Sequence, residues 1–352
     1  MRILTVLGAR PQFIKSAIIS NQIIDSTFLE EIVVHTGQHF EHNMSDIFFQ
    51  EMNLSKPNYN LGINRMNREL MIEKMIEKLC PILISEKPDA VLVYGDTNST
   101  LAGSLAAEKL KIPIFHIESG LRSFNKSMPE ELNRVKTDQL SSLLFCPTEN
   151  SVNNLTKEGI TEGVFLSGDV MYDIFRMFSR KNKNFSKTKL QIKSDYVVTT
   201  IHRQENTDDE EKLRSIFLNL DMINEEIKVV LPLHPRTKGQ LQRFNIKTNI
   251  ECIDPLGYLS MLSLIKSAEM VITDSGGLQK EAFFAEKKCI TVREETEWKE
   301  LIDNDINNLS NPDNLFKKFE SMRKNDCNFP KGLYGDGNAS EIILDSIIRY
   351  FD

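Results

Sequence analysis

At 352 residues the chain outruns the roughly 250–300 over which a single hydrophobic core keeps growing, so two domains are the expectation. Hydrophobic residues at 40% and charged residues at 26% describe a globular protein and leave no sign of disorder. A net charge of −7 argues against nucleic acid as a partner, because gripping its phosphate backbone takes a basic stripe; an anionic ligand has to be met by local positive groups.

The opening MRILTVLGARPQ is too short in its apolar run for a signal peptide and reads as a first strand. No later segment reaches about 18 apolar residues, so no membrane association and a cytoplasmic location are expected. Apolar runs follow at EIVVHTG from 31, AVLVYGD from 90, IPIFHIESG from 112, LLFCPT from 143 and VFLSGD from 164. Helix-like segments lie between them, around 11–22, 66–85, 98–110 and 130–140. Strands that are apolar throughout, alternating with helices, predict a parallel sheet covered on both faces. From 174 the composition turns polar and lysine-rich, which reads as a linker over 173–195. Alternation resumes at YVVTTIHRQEN from 196, IKVVLPLHP from 227, IECIDP from 250, MVITDSGG from 270 and KCITVREE from 288. The expected fold is α/β, two doubly wound domains over 1–172 and 196–336, with an amphipathic last helix in SEIILDSIIRYFD. Two such sheets are expected to face each other across a cleft at the carboxyl ends of their strands, where open α/β sheets bind ligands. The cysteines Cys80, Cys146, Cys252, Cys289 and Cys327 stand singly and read as reduced core thiols.

Each polar cluster falls where a predicted strand ends. Around 270–286, a strand runs into a helix through Ser275, Gly276 and Gly277. A helix start leaves about four N–H groups unpaired and carries roughly half a positive charge, and two glycines let a phosphate approach it. GARPQFIK offers Arg10 and Lys15 after the first strand, either as anion contacts or as two solvated cations of an ordinary turn. GDTNST, HIESGLR and PEELNR end or open the following elements, so Asp96, Glu118, Glu130 and Glu131 are candidates to converge; Asp96 alone reads equally as a helix cap. TIHRQEN contributes His202, Arg203 and Glu205, and LHPR contributes His234 one strand later. Arg293, in the KCITVREE run, is a further substrate-binding candidate. His35, His39 and His42 lack HExxH spacing and an acidic ligand set, so no metal is expected.

GARPQFIK, TGQH, GDTNSTLAGSLAA, HIESGLRSF, MPEELNR, TIHRQEN, DSGGLQKEA, the TEW triplet at 296–298 and YGDGNAS, in that order, resemble the non-hydrolysing UDP-N-acetylglucosamine 2-epimerase family from first strand to last helix. The resemblance implies a GT-B fold of two Rossmann-like domains, nucleotide held mainly by the second, a last helix over 337–352 packed back on the first, and a homodimer. It implies inversion of carbon 2 of a UDP-linked 2-acetamido sugar without a redox cofactor. By motif, Asp96, Glu118 and Glu130 match the family's catalytic carboxylates and His202 its catalytic histidine, with base and acid undivided among them. Arg10, His202 and the backbone at Ser275–Gly277 match the diphosphate grip, and Glu281 the ribose contact. Lys15 and Arg134 also match functional positions.

The chain departs from the family in three places. Gln38 is followed by His39, Phe40 and Glu41, so the glutamine that serves an allosteric substrate molecule in many members is missing. Trp298 replaces an arginine after the Thr-Glu pair, a form that resembles the branch containing UDP-2,3-diacetamido-2,3-dideoxyglucuronate 2-epimerases. KELIDNDINNLSNPDN lacks the usual glycine-rich continuation, which suggests a shortened loop. The functional expectation is a UDP-sugar 2-epimerase that supplies a manno-configured sugar for surface polysaccharide. The alternatives are the diacetamido-glucuronate substrate, hydrolytic release of UDP, a GT-B glycosyltransferase and a non-catalytic UDP-sugar sensor.

Overall fold

The computed structural model describes residues 1–38, 54–181 and 195–352; His39, His42, Phe40 and Glu41, and most of the lysine-rich stretch, lie outside the described residues. The chain divides into two compact units, Met1–Met177 with Lys331–Asp352, and Phe178–Pro330.

The first unit is a seven-stranded sheet with every pairing parallel, formed by β1 (Arg2–Leu7), β2 (Glu30–His35), β3 (Tyr59–Asn60), β4 (Ala90–Tyr94), β5 (Ile114–Ile117), β6 (Leu143–Cys146) and β7 (Val164–Leu166). Its order is β3-β2-β1-β4-β5-β6-β7, so chain direction across the sheet reverses between β1 and β4. The helices are α1 (Arg10–Ile24), α2 (Arg68–Glu86), α3 (Asn98–Lys109), α4 (Pro129–Leu140), α5 (Glu149–Lys157) and α6 (Val170–Lys181). Side chains alternate along each strand, and both faces are covered. Ile3, Leu7, Leu92, Phe115 and Ile117 pack with Phe13 and Ile19 of α1 and with Ile343 and Ile347 near the C-terminus. Leu4, Val6, Val91 and Val93 pack with Met75 and Leu79 of α2 and Ala102 and Ala106 of α3. Two-sided burial is why these strands read as unbroken apolar runs.

The second unit repeats the plan with β8 (Tyr196–Thr200), β9 (Lys228–Pro232), β10 (Glu251–Ile253), β11 (Met270–Thr273), β12 (Lys288–Thr291) and β13 (Asn307–Leu309), in the order β10-β9-β8-β11-β12-β13. Its helices are α7 (Gln204–Thr207), α8 (Glu210–Glu226), α9 (Pro235–Arg243), α10 (Tyr258–Ser267), α11 (Gly276–Phe284), α12 (Lys299–Asp303) and α13 (Leu315–Lys324). The last helix, α14 (Ala339–Phe351), belongs to the first unit, where Asp173 of α6 accepts from the Ala339 and Ser340 backbone N–H groups at 3.2 and 2.8 Å.

Three sequence expectations need correction. The stretch read as a linker from 173 begins as helix, because Val170, Ile174 and Phe178 recur at helical spacing and are buried beneath the polar composition. The segment after Trp298 is not simply a short loop: it forms α12 and the edge strand β13. Cys252 is exposed on edge strand β10 and Cys80 and Cys327 are half-buried, whereas Cys146 and Cys289 are core thiols whose burial pushes them up to about 12. No helix among the described residues is long and apolar enough to cross a membrane.

Candidate active site

In each unit the chemistry-bearing loops leave the sheet at its reversal point, where two neighbouring connections run to opposite faces and leave a crevice. In the first unit these are the loops after β1 and β4. Gln12 locks them together: its Oε1 accepts from the Gly8 and Ala9 N–H groups at 2.8 and 3.0 Å, and its Nε2 donates to the Tyr94 carbonyl and Thr100 Oγ1 at 2.9 and 3.0 Å. Gly8 is required there, since a Cβ would lie 2.0 Å from Ser99 Oγ.

Glu118 follows β5 with φ of +72°, a left-handed conformation that costs a non-glycine residue about 1–3 kcal/mol. The turn is enforced from outside: the Glu118 and Ser119 N–H groups both donate to the Phe145 carbonyl at 3.1 Å. The strained residue presents a buried carboxylate to Lys15 Nζ, with which it forms an ion pair. A Cβ placed on Gly95 would lie 3.3 Å from that carboxylate and 3.5 Å from Lys15 Nζ, so the pair sits directly beside Asp96. Asp96 is itself paired with Arg134, whose other arm donates to Glu131 Oε2 at 3.1 Å. Burial works to raise the Asp96 pKa, but the Arg134 guanidinium and the Lys15 ammonium outweigh it and hold the carboxyl below its ordinary value.

Lys15, Asp96, Glu118 and Arg134 are therefore assembled. Glu130 is not part of that contact set: it is exposed near the start of α4 and pairs with none of the described residues. Its neighbour Glu131 is the buried one, accepting from Ser123 N, Ser123 Oγ and Phe124 N at 2.9, 3.0 and 3.0 Å, which fixes the loop ahead of α4. Arg10 opens α1, and its side chain falls outside the described set. His35 is buried, with its ring edge on Phe13 at 4.9 Å and its Nδ1 accepting from Gly37 N at 2.9 Å.

In the second unit the reversal lies between β8 and β11. Asp274, which sequence reasoning passed over as part of a glycine motif, is fully buried there. Its carboxylate accepts from the His202 and Arg203 N–H groups, each at 2.9 Å, and from Asn206 Nδ2 at 3.1 Å, and it stands 3.4 Å from His202 Nδ1. His202 stacks on His234 with ring centroids 5.4 Å apart. His234 also caps α9, its Nδ1 accepting from Arg236 N at 3.1 Å.

Ser275 is the N-cap of α11 but makes no side-chain cap, leaving the helix start open to an external anion. Gly276 packs closely: a Cβ would meet Glu297 Oε1 at 2.6 Å. Gly277 faces open space, with nothing within 4 Å of such an atom. Arg293 is buried beside this start; its Nη1 donates to Glu297 Oε2 at 3.0 Å, and its Nη2 is buried without a partner among the described residues. Glu281 is buried one turn into α11. Trp298 is buried, donates Nε1 to the Gly276 carbonyl at 3.0 Å and carries Lys280 Nζ 4.1 Å above its ring, which braces the glycine pair. Gln279 ties the same turn to Thr296 and Asn307 through two 2.8 Å bonds to its Oε1.

The contrast between the glycines yields a clean test. Gly277→Ala has room in the fold and reduces chain entropy in the unfolded state, so thermal stability is expected to hold or rise by about 0.5–1 kcal/mol. The added methyl occupies the space above the helix start, and UDP affinity measured by calorimetry is expected to fall about tenfold or more, a loss of about 1.4 kcal/mol. Unchanged UDP affinity would remove the socket reading.

The description of the matching family model is UDP-N-acetylglucosamine 2-epimerase, over residues 21–348. A UDP-2,3-diacetamido-2,3-dideoxy-D-glucuronate 2-epimerase of Pseudomonas aeruginosa is 45% identical, covering 99% of this chain and 100% of its own length. The crystal structure of the Methanocaldococcus jannaschii UDP-GlcNAc 2-epimerase in complex with UDP-GlcNAc and UDP superposes with a TM-score of 0.92 at 40% identity, covering 99% of this chain and 100% of that one. The Neisseria meningitidis UDP-GlcNAc 2-epimerase bound to UDP-GlcNAc gives 0.90 at 31% identity, with coverage of 99% and 100%.

Proposed function

This chain belongs to the UDP-N-acetylglucosamine 2-epimerase family, and from that premise we propose that it inverts carbon 2 of a UDP-linked 2-acetamido sugar, interconverting UDP-GlcNAc and UDP-ManNAc. The supporting observation is Glu118, held in a costly backbone conformation beside Asp96, with Lys15 and Arg134 supplying the compensating charge.

Carbon 2 bears an acetamido group and no carbonyl, so its hydrogen is weakly acidic. A carboxylate takes that proton while the C2–H electrons form the C1–C2 double bond and the C1–O bond breaks, UDP leaving with its electron pair. Anti elimination gives 2-acetamidoglucal. A proton then reaches carbon 2 from the opposite face, and a diphosphate oxygen re-forms the bond to carbon 1. The chemistry needs an acid and a base, for which Asp96, Glu118 and Glu130 are the candidates. It also needs positive groups on the departing diphosphate, a role we give to Arg10, His202, Arg293 and the start of α11. Glu281 takes the ribose, Lys15 and Arg134 hold the carboxylates of Glu118 and Asp96 in place, and His234 contacts substrate.

The same reading makes the enzyme a cytoplasmic homodimer that supplies a manno-configured sugar for surface polysaccharide such as lipopolysaccharide. A second substrate, UDP-2,3-diacetamido-2,3-dideoxyglucuronate, is favoured by the full-length 45% identity to an enzyme of that name and by the TEW triplet. Supplying each sugar to purified protein and resolving epimers chromatographically ranks them by kcat/KM. Free UDP accumulating in step with turnover, without epimer, would replace this reading with a hydrolytic one.

A further inference from the structure

His116 is fully buried at the end of β5, two residues before Glu118, and carries no role in the reaction as described above. Its two ring nitrogens meet only acceptors: Nδ1 lies 2.7 Å from Asp138 Oδ1 and Nε2 lies 2.8 Å from the Gly95 carbonyl. A neutral imidazole has one N–H, so one of these contacts would set lone pair against lone pair; both are satisfied only when each nitrogen carries a proton. That geometry fits a doubly protonated ring, and its neighbours are arranged for one. Asp138 is shared with Arg122 Nη1 at 2.7 Å and the Gly120 N–H at 3.1 Å, and Arg122 in turn forks onto Glu158 with two 2.7 Å bonds. Two cations and two carboxylates close as a neutral block. Burial works to raise the Asp138 pKa, and His116 and Arg122 outweigh it, so the carboxylate stays ionised. The remaining titratable neighbour, Cys146, is a neutral thiol pushed up to about 12 by burial.

The block reaches the candidate catalytic acids through one helix. Asn133, Arg134 and Asp138 of α4 grip in turn the Asp96 carbonyl (2.8 Å), the Asp96 carboxylate and His116. His116 then holds the carbonyl of Gly95, the residue before Asp96, whose φ is +61°. We propose that His116 is a positioning residue for the elimination, a fixed imidazolium that pins the Gly95–Asp96 peptide and sets a positive charge within reach of the Asp96 carboxylate. This rests on Asp96 being a catalytic carboxylate, as put forward above.

The first test is spectroscopic: the full-length protein, whose six histidines carry a nitrogen label, examined by NMR with His116→Gln used to assign the signal. His116 is expected to show two ring N–H groups at neutral pH, one to each acceptor. A bare ring nitrogen there overturns the proposal. In kinetics, His116→Gln is expected to lower kcat about tenfold with KM little changed. The acidic limb of its kcat/KM profile should move to higher pH, because Asp96 loses a stabilising charge. A merely structural histidine would lower kcat without moving that limb. If Asp96→Asn exchanges the carbon 2 hydrogen at the native rate, the catalytic reading of Asp96 fails and takes this proposal with it. If Asp96→Asn is inactive and the limb of His116→Gln is unmoved, the proposal alone fails.

Discussion

Glu118→Gln is expected to lower epimerisation by about 10²–10⁴-fold, the range spanned by acid–base groups that move a proton in the transition state. The substitution keeps size and backbone but removes the charge that pairs with Lys15 and the capacity to take a proton. The site pays about 1–3 kcal/mol to hold this residue left-handed, a cost that packing alone does not explain when glycine would fit the turn without it. Glu118→Gly therefore separates the two roles: both variants take this carboxylate from Lys15, so the glycine variant, relieved of the strain, should be the more stable of the two and equally inactive. UDP affinity should change little in either, because the diphosphate socket proposed at the start of α11 is built from other residues. Full turnover by Glu118→Gln would favour a glycosyltransferase that uses the UDP socket and spares the acids.

Asp274→Ala is expected to be the most damaging single change in the second unit, lowering kcat by roughly 10²-fold and stability by about 3 kcal/mol. Three donors converge on its carboxylate, two of them the backbone N–H groups of His202 and Arg203. Truncation leaves the two backbone N–H groups without this acceptor, leaves Asn206 Nδ2 with only the Val292 carbonyl at 3.0 Å, and frees the loop that aims His202. The sensitive readout is a double-mutant cycle. If Asp274 acts by orienting His202, the kcat losses of Asp274→Ala and His202→Ala will be far from additive, since the second change removes what the first disturbs. Additive losses would make Asp274 a structural residue only.

The strand runs were legible because two-sided burial leaves a continuous apolar string, and the loops because polar residues cluster abruptly where those strings stop. Lys15, Asp96 and Glu118 were named from that rule and Arg134 from the family resemblance, and the four are brought together. What escaped is what sequence position does not encode. Asp274 looks like one letter of a DSGG motif, and only the fold reveals three donors from the loop and short helix that follow β8. Trp298 looks like a specificity marker, yet its contacts are to the carbonyl and lysine of the socket helix. Glu130 and Glu131 are adjacent and chemically identical, and the helix phase alone sends one to solvent and the other into the loop it fixes. The start of α6 was hidden because its lysine- and arginine-rich composition masks an apolar stripe at 170, 174 and 178.

Solvent exchange at carbon 2 examines the elimination itself. Purified protein in deuterated water with UDP-GlcNAc, and separately with the diacetamido-glucuronate analogue, is followed by NMR at the carbon 2 position. The expected result is deuterium entering carbon 2 of both epimers of at least one sugar, with exchange keeping pace with inversion. Inversion with the original hydrogen retained, or no exchange in any UDP-linked 2-acetamido sugar, would contradict a mechanism in which a carboxylate removes that proton as UDP departs.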